Sequence, residues 1–322
     1  MRILVTGAGG FIGGHLVGQL TAQGHDVIAV DIKPISEWYQ HSKVNHNVVA
    51  DMRLVEHSLN LTKNVDQIYN LAADMGGMGF IENNKAKCME SVLINTHLLQ
   101  AAVQNNVQKY FFASSACVYA SFHQNSLEFD PLKESDAYPA DPEDGYGWEK
   151  LFSERMCRHF TEDYGIETRV ARYHNVYGPY GTFHGGREKV PAAACRKIIE
   201  AILSNKYEIE IWGDGKQLRS FTYISDCIDG SIQLMASHYK EPLNIGSSET
   251  ISIKDLYLTI IDMTGIPREK FKFTYNLDAP QGVRGRSSDN SMCLKTLNWE
   301  PKIYFKEGIA STFKWISAQL NY

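Results

Sequence analysis

Arg2-Ile3-Leu4-Val5-Thr6-Gly7-Ala8-Gly9-Gly10-Phe11-Ile12-Gly13 decides the reading of this chain: an apolar strand runs straight into a glycine-rich turn and then into helical sequence. Gly7, Gly10 and Gly13 permit a tight turn, close approach of the backbone to a pyrophosphate, and close packing of helix on strand. The free N–H groups at the helix start, where Phe11 and Ile12 lie, and the positive end of its dipole complete a phosphate cradle. Asp31 ends the second apolar run. An acid there suits the two ribose hydroxyls and repels a 2′-phosphate, which favours NAD over NADP.

Further β-branched runs follow at Asp26–Asp31, Asn47–Asp51, Gln67–Ala73, Lys109–Ser115 and Thr168–Tyr173, after the first at Arg2–Gly7. Helical patterns near Gly10–Ala22, Lys85–Asn105 and Gly145–Tyr164 separate them. Apolar strands alternating with helices predict an α/β fold with a doubly wound parallel (Rossmann) sheet. Beyond Tyr177 the sequence is richer in turns, with a helix expected from Lys189 or Pro191 to Leu203, another over Ser225–Ser237, and a short strand at Leu243–Ile245. Residues 1–177, completed by about 222–248, read as the NAD-binding domain. Residues 178–221 and 249–322 read as a smaller, interleaved substrate-binding lobe.

The 322 residues carry a net charge of −5, which does not suggest a nucleic-acid or anionic-membrane partner. No apolar run approaches the roughly 18 residues that would span a bilayer. Cysteines at 88, 117, 157, 195, 227 and 293 form no CxxC pair and no zinc spacing, so reduced thiols, no metal and a cytoplasmic location are expected. The first strand begins at Arg2, so no leader peptide is expected.

The Gly-xx-Gly-xx-Gly spacing, Asp51-Met52 and Asn70-Leu71-Ala72-Ala73 together resemble the extended short-chain dehydrogenase/reductase family. The resemblance implies that Asp51 and Met52 border the adenine, and that Leu71, Ala72 and Ala73 line the cofactor channel. Tyr146 and Lys150, four apart at a helix start, share one helix face. A phenol near pKa ~10 is a poor base, but a neighbouring ammonium and a positive nicotinamide favour its phenolate. In the family such a tyrosine takes a hydroxyl proton, the lysine holds the nicotinamide ribose, and a serine in the place of Ser115 binds the reacting sugar oxygen.

The stretches Asn70–Glu82, Ala113–Tyr119, Leu132–Glu134, Tyr173–Gly181, Gly185–Pro191, Ile211–Gly215 and Gly282–Asn290 narrow the resemblance to that family's nucleotide-sugar epimerases. They are most similar to those that invert a GDP-sugar at C3 and C5. A ketone at C4 acidifies the hydrogens on C3 and C5, and inversion needs one group on each face. By resemblance these are Cys117 and Lys189. A free cysteine is usually a small buried hydrophobe, but the company of Lys189 favours the chemical reading. Burial would lower the lysine's pKa, and nearby cations the cysteine's.

Arg219, Arg284 and Arg286 are candidates for the diphosphate, whose oxygens match a guanidinium fork. Asn175 resembles the family's asparagine beside the nucleotide-sugar. The Gly76-Gly77-Met78 loop is expected to bring backbone close to the sugar. The family also implies a homodimer through Lys85–Asn105 and Gly145–Tyr164. The alternatives are a 4-epimerase or C4-oxidase acting on a related GDP-hexose or heptose, and, from another class, an NAD-sensing scaffold on the same fold.

Overall fold

In the computed structural model, which describes residues 1–41 and 46–322, the first half runs β1 (Arg2–Thr6), α1 (Phe11–Ala22), β2 (Asp26–Asp31), β3 (His46–Val49), α2 (Val55–Leu61), β4 (Gln67–Asn70), α3 (Met78–Asn83), α4 (Lys85–Met89), α5 (Ser91–Gln104), β5 (Lys109–Ser115), α6 (Tyr146–Tyr164) and β6 (Glu167–Tyr173). The second half adds β7 (Val176–Tyr177), α7 (Val190–Leu203), β8 (Glu208–Trp212), β9 (Leu218–Ser220), β10 (Thr222–Tyr223), α8 (Ile224–Ala236), β11 (Leu243–Ile245), β12 (Thr250–Ser252), α9 (Ile253–Met263), β13 (Lys272–Asn276), β14 (Gly285–Arg286), α10 (Ser291–Leu297) and α11 (Phe305–Gln319). Strands β11, β6, β5, β4, β1, β2 and β3 pair in that order, all parallel.

The strand period of two explains why both sheet faces are apolar. Ile3, Val5, Tyr69 and Phe111 pack on one side with Leu16 and Leu20 of α1 and Leu234 of α8. Their neighbours Leu4, Ile68, Tyr110 and Phe112 pack on the other with Leu98 and Leu99 of α5. This is the doubly wound sheet expected. A further apolar cluster joins α7, α9 and α11 through Ile198, Leu256, Ile260 and Ile309, with Ile209 and Ile211 of β8.

Strand order reverses at β1, which lies between β2 and β4, so a crevice opens beyond the carboxyl ends of β1 and β4. The expected strand Gln67–Ala73 is shorter for that reason: β4 ends at Asn70, and the next residues leave the ladder as an irregular rim. The expected helix Lys85–Asn105 is divided into α4 and α5 at Glu90, whose carbonyl takes the Leu93 N–H in a tight turn.

Arg172 of β6 and Glu154 of α6 form a pair at 2.7 Å with both side chains 3% exposed. Ser114 also donates to Glu154, at 2.5 Å, so that serine is structural. Removing the carboxylate strands a buried guanidinium. We therefore expect Glu154→Ala to cost about 3–5 kcal/mol in urea unfolding, and a loss below 1 kcal/mol would show that Arg172 reaches water or another acid.

Candidate active site

The crevice is built by close backbone approach. A Cβ on Gly13 would lie 2.1 Å from the Gly7 carbonyl oxygen, so only glycine lets α1 start so near the end of β1. Gly10 caps α1 without a side-chain hydrogen bond, leaving the first-turn N–H groups to an external acceptor. Across the crevice, the backbone of Leu71 and Ala72 would lie 2.9 Å from a Cβ on Gly7; Ala73 follows, half-buried. Asp31 is nearly buried at the end of β2, its Oδ1 accepting the Lys33 N–H at 3.0 Å. A glycine cradle, an uncapped helix start and an acid one strand away suit a dinucleotide.

Met52 is buried near the same end of the sheet. Asp51 is already engaged: the Arg53 guanidinium grips it at 2.8 and 3.0 Å and holds its carboxyl below the usual range. Trp38 and Gln40 escaped the sequence reading, yet they pack over Gly9 and Gly14, and the Trp38 indole donates to the Lys33 carbonyl. Nothing in their spacing marks a residue that folds back onto the first turn.

Beyond the crevice, one cavity collects most of the remaining candidates. Tyr146, Ser115 and Cys117 line it from the sheet side, with Asn175, Arg219 and Arg286. Gly76, Gly77, Met78 and Lys189 line it too. Gly77 donates to the Arg187 carbonyl at 3.1 Å, and a Cβ there would meet the Glu188 carbonyl oxygen at 2.5 Å. Arg187 fastens the same junction, pairing with Asp74 at 3.2 Å. These contacts hold Lys189, the residue capping α7, beside the glycine loop.

Tyr146 and Lys150 follow one another on the first turns of α6, both buried. The Lys150 ammonium lies 5.6 Å from the Tyr146 ring centre, 4.7 Å from the Phe112 ring, and 3.5 Å from Glu149. Burial pushes the Tyr146 phenol well above its ordinary pKa; Cys117 and Glu149 add to this and the Ser115 hydroxyl opposes it. The expected lowering by Lys150 is thus not what the protein alone shows: burial sets the direction. Glu149, which the sequence reading missed, is itself held above the usual carboxylate range by burial.

Burial also lowers Lys189, as expected, with Arg286 assisting and Cys117 opposing. Cys117 departs from expectation: burial and then the Glu143 charge push its thiol up to about 11, against the lowering effect of Arg286. Burial is the main reason, and Glu143, facing the thiol from the loop before α6, adds to it against the Arg286 guanidinium 3.8 Å from the sulfur.

Among the described residues, the hydrogen bonds of the Arg219 guanidinium go to the carbonyls of Leu218, Gln281 and Val283 and to no acid. Burial and then Arg286 disfavour its charge, so an anion in the cavity would relieve it. Asn175, in a left-handed conformation at φ 40°, donates to the Ser220 carbonyl at 3.0 Å. Arg284 is a correction. It does not line the cavity, and its fork is occupied by Asp214 at 3.0 Å through both nitrogens. Arg284 lies before β14, which begins at Gly285, and engages Asp214, whereas Arg286 donates to Gln124 and faces the Cys117 sulfur.

Residues 3–246 match the NAD dependent epimerase/dehydratase family. The chain is 43% identical over 322 residues to a GDP-mannose 3,5-epimerase of Arabidopsis thaliana, covering 100% of this chain and 83% of that protein. It has the same identity and coverage with a GDP-mannose 3,5-epimerase 1 of Oryza sativa subsp. indica. Among solved structures it is similar in fold to a UDP-glucose 4-epimerase of Thermotoga maritima, with TM-score 0.88, 24% identity, and 99% and 100% of the two chains covered. The chain belongs to the NAD dependent epimerase/dehydratase family: it is an NAD-using enzyme built on that family's fold.

Proposed function

We propose that the protein is an NAD-dependent GDP-sugar 3,5-epimerase of the GDP-mannose to GDP-L-galactose type. The observation that carries this reading is that Cys117 and Lys189, 72 positions apart, line one cavity with Tyr146 and Ser115. Bound NAD supplies the acceptor and then the donor of hydride at sugar C4. Tyr146 takes the C4 hydroxyl proton, Ser115 holds the same oxygen, and Lys150 holds the nicotinamide ribose. A positive nicotinamide beside Tyr146 would favour its phenolate against the burial that raises its pKa. Cys117 and Lys189 then exchange protons with C3 and C5 from opposite faces, and C4 is reduced again. Arg219 and Arg286, with Asn175, meet the nucleotide-sugar, while Gly76, Gly77 and Met78 close on its sugar. Gly7, Gly10, Phe11, Ile12 and Gly13 would cradle the dinucleotide, Asp31 would bind its ribose, Asp51 and Met52 would border its adenine, and Leu71, Ala72 and Ala73 would line its channel.

Residues 1–177 with about 222–248 hold the cofactor, and 178–221 with 249–322 cover the sugar. The contribution of β11 to the main sheet and the separate apolar cluster of α7, α9 and α11 support this division. Six unpaired cysteines suit the reducing cytoplasm. Among the described residues no helix is long and apolar enough to cross a membrane.

The protein works as a homodimer through the faces of α4–α5 and α6, where Met89, Leu93, Trp148 and Phe152 are exposed. Phe152→Glu should convert the dimer to a monomer in analytical ultracentrifugation; an unchanged sedimentation coefficient would place the interface elsewhere. The function itself is tested by incubation with GDP-mannose in deuterated water and NMR of the recovered sugar. Deuterium at C3 and C5 is the expected result. A 4-epimer or a 4-keto product without incorporation would reject the 3,5-epimerase reading.

A further inference from the structure

Glu143 is the acid that the mechanism leaves unused. It lies three residues before Tyr146, lines the cavity with Cys117, and ties itself to that residue through its backbone N–H, which donates to the Cys117 carbonyl at 3.0 Å. Its Oε1 is buried without a hydrogen-bond partner. The cavity's other carboxylate, Glu188, is spoken for: Arg196 pairs with it at 3.2 Å, and it accepts the Gly186 N–H at 2.7 Å. The titratable and charged groups facing Cys117 are therefore Glu143 from the loop before α6, Tyr146 from the start of α6, Arg219 from β9, Arg286 from β14, and Lys189 at the cap of α7. A buried carboxylate with an open oxygen next to a thiol asks for a proton, not for a second anion.

We propose that Glu143 is a positioning residue for Cys117: its carboxylate holds the thiol protonated, so that Cys117 meets the sugar as proton donor and Lys189 as acceptor. This rests on the reading of the site given above. In the first inversion, the Lys189 amine takes the proton from a carbon next to the C4 ketone and becomes ammonium. The Cys117 S–H bond breaks, its proton goes to the opposite face of that carbon, and the sulfur becomes thiolate. In the second inversion the roles exchange: the thiolate takes a proton, the ammonium gives one, and thiol and amine are restored. The thiolate beside Glu143 is the unfavourable state of this cycle, which favours its prompt reprotonation and links the two inversions. Desolvation disfavours charge on both Cys117 and Lys189, in agreement with a resting thiol and amine.

The experiment is alkylation of the NAD-loaded enzyme by iodoacetamide without sugar, read at the Cys117 peptide by mass spectrometry. Cys117 is 8% exposed and the other five cysteines 0%, so the reagent reports on the right thiol. Glu143→Gln keeps the side chain's shape and removes its charge. Loss of the like charge should lower the thiol's pKa by about one unit, so alkylation at about pH 8 should run about tenfold faster than in wild type. A merely structural role would not move this rate in that direction. An unchanged or slower rate in folded Glu143→Gln overturns the proposal. So does a wild-type alkylation rate that levels off near the ordinary thiol value of about 8.5, a result that needs no variant. Because no sugar is present, failure here is separable from failure of deuterium to enter GDP-mannose, which would reject the functional reading alone.

Discussion

Tyr146→Phe should lower turnover of GDP-mannose by about 10²–10⁴-fold, the usual worth of a positioned general acid or base. The substitution removes one oxygen and leaves the ring packed with Ile81, Cys88 and Cys117, so the fold should be unaffected. Without the phenol no group takes the C4 hydroxyl proton, and every later step waits on that oxidation. Reduced nicotinamide should then fail to appear on adding GDP-mannose, while the bound dinucleotide stays at its wild-type content. Burial holds the free phenol well above its ordinary pKa, so wild-type oxidation of C4 should quicken as pH rises, and the variant should lose that dependence. A loss smaller than about tenfold would mean that water or another side chain is the base.

Lys189→Met should remove deuterium exchange at C3 and C5 by a similar factor of about 10²–10⁴, yet leave C4 oxidation visible as nicotinamide absorbance. Methionine keeps an unbranched stem at this cavity-lining position and removes only the amine. Burial lowers the lysine, so its neutral, basic form is more available than that of a surface lysine. Exchange in the wild type should therefore rise with pH through that depressed value, and fall as pH drops below it. Exchange at the wild-type rate in Lys189→Met would remove the residue from the proton chemistry and leave only Cys117 to explain inversion.

How much of this was legible in the sequence differs from residue to residue. The Gly7–Gly13 turn and Asp31 could be placed because they are local: a strand, a turn and a helix start within a few residues impose their own geometry. The Tyr146–Lys150 pair was equally local, since a separation of four is enough to put both on one helix face. The equivalence of Arg284 and Arg286 was an error of the same local kind. Alternate positions looked like one ligand loop, but Asp214, distant in sequence, takes Arg284 while Gln124 and Cys117 take Arg286.

Glu143, Glu149 and Trp38 were invisible for a different reason. Their roles come from what the chain packs against them: Cys117 against Glu143, the Lys150 ammonium beside Glu149, and the Gly9 turn under Trp38. The same holds for protonation. A sequence shows that a thiol and some arginines exist, but not that burial and one carboxylate together outweigh a cation 3.8 Å away. Sequence by itself determined the doubly wound sheet and the cofactor turn, because periodicity and turn chemistry act over a few residues. Only the tertiary structure decided which charges share a cavity, because desolvation and Coulomb energy depend on distances between segments far apart in the chain.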